Sequence, residues 1–217
     1  MRRIMVLNPK GGCGKSTIAT NLASYYASQG EPVILADFDP QGSSKAWLKA
    51  RSKKLPKIQR CAPEKVGELM LPHGKGALIM DSPASVRDKQ LKNHVKLAQT
   101  ILIPVLPSPF DIRATADYIA ELLTMGRVSR SRTRIAVVAN RVRERTRVYQ
   151  SLHRFLDRLG IPFIGVLRDT QNYIRAAEQG VGIFELPASH TGHDREQWQP
   201  IIDWLDSKES RPKKSKK

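Results

Sequence analysis

The run Lys10-Gly11-Gly12-Cys13-Gly14-Lys15-Ser16-Thr17 stands between a short apolar segment and an amphipathic one. Upstream, Ile4-Met5-Val6-Leu7 ends at Asn8-Pro9, which is the pattern of a buried parallel strand. Downstream, Ile18, Leu22, Ala23, Tyr25 and Tyr26 keep helical spacing until Gly30 stops the helix. Glycines in such a turn let backbone N–H groups converge on an anion without interference from Cβ atoms, and the positive end of the helix faces the same point. Lys15 is placed to reach the β- and γ-phosphates, and the Ser16 hydroxyl to serve Mg²⁺. A chain containing this run is committed to a strand–loop–helix unit that binds a nucleoside triphosphate.

The remaining pattern extends that unit. Apolar runs predict strands at Ile4–Leu7, Pro32–Ala36, Ala77–Met80, Thr100–Val105, Arg134–Ala139 and Phe163–Leu167. Between and after them, helical spacing covers Lys15–Gln29, Ser44–Ser52, Pro63–Leu71, Arg87–Gln99, Ile112–Met125, Arg147–Leu159, Asn172–Gln179 and Arg195–Leu205. Such alternation predicts an α/β fold, a single-domain and mostly parallel twisted sheet with helices on both faces. The domain is expected over residues 1–206. Residues 207–217, without an aromatic or aliphatic side chain, read as a basic disordered tail. Ligands of such folds sit at the carboxyl ends of the strands.

Two further strand ends carry acids. Val33-Ile34-Leu35-Ala36 leads into Asp37-Phe38-Asp39-Pro40-Gln41-Gly42, and Ala77-Leu78-Ile79-Met80 delivers Asp81-Ser82-Pro83. A carboxylate at the rim of a sheet can face Mg²⁺ directly or through water, so Asp81 reads as the metal-site acid of a P-loop protein. Its neighbour is Ser82, not the glutamate that many ATPases use to orient the attacking water.

The phosphate run departs from G-x-x-x-x-G-K-[ST], having Pro9 where the first glycine belongs and a second lysine at Lys10. The form K-G-G-x-G-K-[ST]-T resembles the deviant Walker motif of the ParA/MinD family of dimeric ATPases, and Asp37-x-Asp39-Pro40-Gln41-Gly42 is similar to that family's D-x-D-P-Q-G. Ile103-Pro104-Val105-Leu106-Pro107-Ser108-Pro109-Phe110-Asp111 resembles a segment of small plasmid ParA proteins that lies near the subunit interface. Asp111 is expected to cap the helix after it. The resemblance runs from residue 4 to about 141. It implies ATP and Mg²⁺ as ligands, with Lys10, Gly11, Gly12, Cys13, Gly14, Lys15, Ser16 and Thr17 around the phosphates and Asn140 near the base. It implies hydrolysis served by Asp39 and Lys15, metal contacts from Ser16, Asp37 and Asp81, and Lys10 crossing to the phosphates of a second subunit. No guanine-reading N-K-x-D follows Ala139, which favours ATP over GTP.

Charge adds a partner. Thirty-seven Lys and Arg against twenty Asp and Glu give a net charge of +17, far beyond what a nucleotide requires. Arg127, Arg130, Arg132, Arg134, Arg141, Arg143, Arg145 and Arg147 flank one strand, with Glu144 their only acid. Of these, Arg127, Arg130, Arg132, Arg141, Arg143, Arg145 and Arg147 are the expected DNA contacts. Without a zinc, helix-turn-helix or RNA-binding aromatic motif, contact is expected to be with the phosphate backbone and indifferent to sequence. The expected protein is therefore a slow, partner-stimulated ATPase, a homodimer gated by ATP. It would bind nonspecific double-stranded DNA and work with a ParB-like or cargo-adaptor protein, cytoplasmic and nucleoid-associated. Its cargo would be a plasmid, a chromosome region, or a cytosolic body such as a carboxysome or chemoreceptor cluster.

The alternative is a MinD-like membrane switch. Trp198, Ile201, Ile202 and Leu205 could form a lipid-facing stripe, but Asp194, Glu196, Asp203 and Asp206 on the same helix suit anionic lipid poorly, and packing on the sheet is the simpler reading. No apolar stretch is long enough to span a bilayer and no signal peptide is read before the first strand; with those acids on the last helix, the membrane reading ranks second and no membrane partner is expected. Cys13 and Cys61 neither pair nor match an iron–sulfur relative.

Overall fold

The computed structural model describes residues 1–69, 76–125, 128, 132–143 and 160–212. Among them, β1 (Arg2–Val6) leads through the phosphate loop into α1 (Lys15–Ser28), then β2 (Val33–Asp37), α2 (Ser43–Ala50) and β3 (Ile58–Cys61). A 3₁₀ turn at Pro63–Glu68 precedes β4 (Ala77–Asp81), α3 (Asp88–Leu97), β5 (Thr100–Val105) and α4 (Pro109–Thr124). The chain continues through β6 (Arg134–Val142), β7 (Phe163–Arg168), α5 (Gln171–Glu178) and α6 (Ala188–Asp206).

The strands form one seven-stranded sheet in the order β3-β2-β4-β1-β5-β6-β7, and every pairing is parallel. Parallel strands need crossovers, and helices supply them on both sides, so β4 and β5 are buried at every residue. One face packs α3 and α4 through Leu91, Val95, Ile119 and Leu122. The other packs α1, α2 and α6 through Ile18, Leu22, Trp47 and Trp198. β1 lies between β4 and β5, so the strand order turns at the phosphate loop, where ligands of open α/β sheets bind.

Several elements differ from the expectation. β3 is a four-residue edge strand whose middle residues, Gln59 and Arg60, face solvent, so it carries too little apolar pattern to be read locally. Pro63–Leu71 was expected as a helix, and only the 3₁₀ turn forms within the described residues. α4 begins at Pro109, and Ser108 is its N-cap, its side chain accepting from the Asp111 N–H at 3.1 Å. Asp111 sits in the first turn and its carboxylate accepts the Ser108 hydroxyl, while the Ser108 N–H donates to the Leu106 carbonyl at 2.8 Å. α6 runs from Ala188 and carries Pro200 inside it. The expected helix Arg147–Leu159 lies outside the described residues.

The apolar stripe of α6 is spent on packing: Trp198, Ile201, Ile202 and Leu205 are all buried. No helix among the described residues is long and apolar enough to cross a membrane. Beyond residue 206 the chain stays docked, since Thr100 Oγ1 donates to the Ser210 carbonyl at 2.6 Å and Arg134 Nε to the Glu209 carbonyl at 2.8 Å. Residues 213–217 of the expected tail lie outside the described residues.

Candidate functional site

At the end of β1 the loop is built from the inside by hydrogen bonds. Asn8 is buried, its Oδ1 accepts the Lys10 N–H at 2.8 Å, and its Nδ2 donates to the Pro104 carbonyl at 2.6 Å. Asn8 thereby ties the start of the loop to the end of β5. The Lys15 ammonium is buried and donates to the Lys10 carbonyl at 2.9 Å, closing the loop on itself. The Cys13 thiol donates to the same carbonyl at 3.3 Å, and burial pushes its pKa up, which keeps it protonated. Gly11 and Gly12 are exposed, Ser16 and Thr17 are partly exposed in the first turn of α1, and Lys10 is partly exposed.

Gly14 caps α1 with a φ of 92°, a left-handed conformation that glycine adopts without Cβ strain. A Cβ there would also strike the Asn140 side-chain amide. Asn140 is buried and donates from Nδ2 to the Cys13 carbonyl at 2.8 Å, so the end of β6 braces the loop. β6 is able to present it because the β6–β7 register shifts between Ala139 and Val142, and Arg141 takes a φ of 53° there. Irregularities of this kind re-aim side chains at sheet rims. α1 has no side-chain N-cap and no acid in its first turn, which leaves its leading N–H groups for an anion.

The acids gather on the β2 and β4 side. Asp37 and Asp81 are paired in register across the two strands. Asp37 spends both oxygens on the chain: Oδ1 accepts the Asp39 N–H at 3.0 Å, and Oδ2 accepts the Lys45 N–H at 2.8 Å inside the first turn of α2. It thus supplies the helix cap that Gly42 lacks. Asp39 is partly exposed, and its Oδ1 accepts the Gln41 N–H at 3.0 Å. Phe38 between them stands edge-on to the His94 ring at 5.0 Å, which holds the segment against α3.

Asp81 is wholly buried. Its Oδ2 accepts the Ser44 hydroxyl at 2.7 Å, while Oδ1 has no hydrogen-bond partner. Burial pushes its pKa up to about 6, against the pull of the Ser16 and Ser44 hydroxyls, with Asp37 adding repulsion and Lys15 relieving it. A buried carboxylate oxygen without a donor, with two hydroxyls beside it, is a donor set that suits a hard divalent ion. No cluster of three His, Cys, Asp or Glu side chains occurs among the described residues, so an ion here would complete its shell from phosphate and water, as Mg²⁺ commonly does. The neighbouring Ser82 is turned away, its Oγ donating to the Val6 carbonyl at 2.7 Å.

Sequence comparison agrees with this geometry. The model of the CobQ/CobB/MinD/ParA nucleotide binding domain matches residues 4–183. The chain belongs to that family. A maintenance of carboxysome distribution protein A from Halothiobacillus neapolitanus is 32% identical over 192 residues, covering 85% of this chain and 88% of the relative. The chromosome-partitioning ATPase Soj of Thermus thermophilus is 28% identical over 154 residues, covering 56% of this chain and 61% of Soj. Among solved structures, the ATP complex of a Cyanothece McdA variant superposes with a TM-score of 0.73 at 15% identity, covering 95% of each chain. The MinD cell division protein of Aquifex aeolicus gives 0.72 at 19% identity, covering 95% of this chain and 98% of MinD. At those identities the superpositions establish the shared ParA/MinD P-loop fold.

The fold brings Lys10, Cys13, Gly14, Lys15, Ser16, Asp37, Asp39, Asp81 and Asn140 to one end of the sheet. Asn8 and Ser44 also belong to the cluster, and sequence reading passed over both. Asn8 directly precedes the loop, but its partner Pro104 is far along the chain. Ser44 lies in the first turn of α2, and only the β2–β4 pairing sets it beside Asp81.

The arginines divide. Arg132, Arg141 and Arg143 are exposed, and Arg141 and Arg143 both reach Asp169, at 3.5 and 3.2 Å. Arg127, Arg130, Arg145 and Arg147 lie outside the described residues.

Proposed function

We propose that the chain is a ParA-type ATPase that pairs two copies around ATP, binds DNA without sequence preference, and uses hydrolysis to position a cargo on the nucleoid. The observation that carries this is Asp81, a buried acid with one unpartnered oxygen, whose carboxyl is influenced by the Ser16 hydroxyl and the Lys15 charge of a two-lysine phosphate loop. The carboxysome distribution relatives favour a cytosolic body as cargo, with a ParB-like or dedicated adaptor as partner.

In this reading the N–H groups of Gly11–Thr17 hold the phosphates, and Lys15 leaves the Lys10 carbonyl to reach the β- and γ-oxygens. Ser16 and Asp81 hold Mg²⁺, Asp81 directly or through water. Bound Mg²⁺ would neutralise charge on the β- and γ-phosphates. Asp37 organises the loop that carries Asp39, and Asp39 orients the attacking water. Asn140 keeps the loop in register, with the base lying against the same end of β6. Lys10 reaches the partner's phosphates, so the pair is complete only with a triphosphate present. Arg132, Arg141 and Arg143, with Arg127, Arg130, Arg145 and Arg147, contact DNA. Weak contacts on each copy become useful once ATP sets two copies on one duplex.

Sedimentation with plasmid DNA in ATP, in ADP and without nucleotide tests the scheme. Retention is expected with ATP alone. Lys15→Ala should lose it, and equal retention by this variant would remove the nucleotide switch. Asp39→Ala should keep ATP-dependent pairing and DNA retention while turnover falls by about a hundredfold or more, the range of a positioned general base. Unchanged turnover would shift the water-orienting role to another residue.

A further inference from the structure

A second basic surface lies at the opposite edge of the sheet from the arginine-flanked strand. Residues 45–60 contain seven Lys or Arg and no Asp or Glu. Arg51 is consumed internally: it forms a bidentate pair with Glu185, at 2.6 and 2.8 Å, and both side chains are buried. The other six, Lys45, Lys49, Lys53, Lys54, Lys57 and Arg60, are exposed, and none has an acidic partner among the described residues. The arginines at the end of β6 differ, since Arg141 and Arg143 share Asp169.

The cations are not displayed on a loose segment. Arg51 donates from Nε and Nη2 to the Pro56 carbonyl at 3.3 and 3.2 Å, and from Nη1 to the Gly180 carbonyl at 3.1 Å. Its guanidinium also lies over the Trp47 ring, 5.3 Å from the centroid. Inside the turn, the Lys54 N–H meets Ser52 Oγ and the Leu55 N–H meets the Ser52 carbonyl, both at 3.2 Å. One buried guanidinium thus fixes the turn carrying Lys53, Lys54 and Lys57, which lowers the entropy lost when those lysines engage a ligand. Next to it, Lys45 and Lys49 lie one helical turn apart on α2, and Arg60 points outward from β3.

We infer that this β3-edge surface is a second contact for DNA phosphates. Lysine ammoniums are compact charges that take phosphate without a fixed approach direction, which suits backbone binding. An acidic peptide would want apolar anchors, and the turn offers only Leu55, which is half-buried, and Pro56. The surface is also tied to the nucleotide end of the molecule. α2 hangs from Asp37 through the Lys45 N–H and from Asp81 through Ser44, so one helix joins these lysines to the acids around the triphosphate.

The inference rests on the DNA-binding reading above, and one experiment separates the two. Affinity for a short labelled duplex is measured by anisotropy from 50 to 200 mM salt, with Mg²⁺ and a non-hydrolysable ATP analogue, for the wild type and for Lys53→Gln/Lys54→Gln/Lys57→Gln. Each phosphate contact contributes about 0.9 to the salt slope, so for each copy on the duplex the variant's slope should be shallower by about 2 to 3, and its loss of affinity across that range smaller by about 10- to 40-fold. Analogue-dependent pairing and DNA-free turnover should match the wild type. An unchanged slope in the variant overturns the inference and leaves the DNA-binding reading standing. A variant that keeps the slope but loses affinity for poly-glutamate overturns it too, and assigns the edge to an acidic protein. A wild type that binds no duplex at all removes the reading beneath it.

Discussion

Asp81 and Asp194 are both wholly buried carboxylates, yet their surroundings are opposite. Asp194, on α6, accepts from Arg168 Nε at 2.5 Å and from Asn172 Nδ2 at 2.7 Å, so both oxygens are answered by the protein. Asp81, at the end of β4, has the Ser44 hydroxyl on one oxygen and nothing on the other, and burial holds its pKa up at about 6. A buried acid given a cation by its own chain belongs to the architecture. A buried acid left short of one keeps an oxygen that the Mg²⁺ of the proposed function would use. The two residues separate the part of the molecule that holds α5 and α6 in place from the nucleotide-binding end of the domain.

Removing each acid should therefore move stability in opposite directions. Asp194→Ala removes the carboxylate that answers the Arg168 charge and one acceptor of the Asn172 amide, and should cost about 3 kcal/mol, the lower end for a broken buried pair because Arg168 keeps 35% of its side chain exposed and Asn172 keeps the His190 carbonyl. Urea unfolding would read this, and a loss below about 0.5 kcal/mol would deny Asp194 its structural part.

Asp81→Asn should do the reverse. Without nucleotide or metal it should stabilise the chain at neutral pH by about 3 kcal/mol, since a carboxyl moved from 3.8 to about 6 carries a cost of that order when ionised. The folded chain holds this proton up to about pH 6, whereas the unfolded chain releases it near 3.8, so the wild type loses stability as pH rises through that window. The amide variant should lack that fall. It should also lose most of the stabilisation that Mg²⁺-ATP gives the wild type, and an Asn variant no more stable than the wild type at pH 7 would break the contrast.

Ser44→Ala is the finest probe. It takes the 2.7 Å Ser44 hydrogen bond from Asp81 and should cost about 1 kcal/mol, while pushing the Asp81 pKa further up. A shift of the pH window to higher values, seen in the same unfolding series, would sharpen the case that Ser44 tunes this acid.

Much of the nucleotide end was legible in the sequence because its signals are local. Lys10–Thr17 is contiguous, the strand before it and the helix after it are periodic, and Asp37, Asp39 and Asp81 each close an apolar run. What surrounds these residues was not legible, because it is assembled across the chain. Ser44 meets Asp81 only through the β2–β4 pairing, Asn140 meets Cys13 across 127 positions, and Asn8 meets Pro104 across 96. β3 escaped notice because an edge strand of four residues with two outward polar side chains resembles a loop.

Taken alone, the order of residues determined a parallel α/β sheet, a phosphate-loop motif at its first strand and a strongly cationic chain, since glycine geometry, apolar periodicity and net charge need no partner to be read. Tertiary structure decided which acid keeps an oxygen without a hydrogen bond, which arginines share Asp169 and which lysines Arg51 holds in place. Those outcomes depend on what the fold places within about 3 Å of each charge, the reach of a hydrogen bond, and not on sequence neighbours.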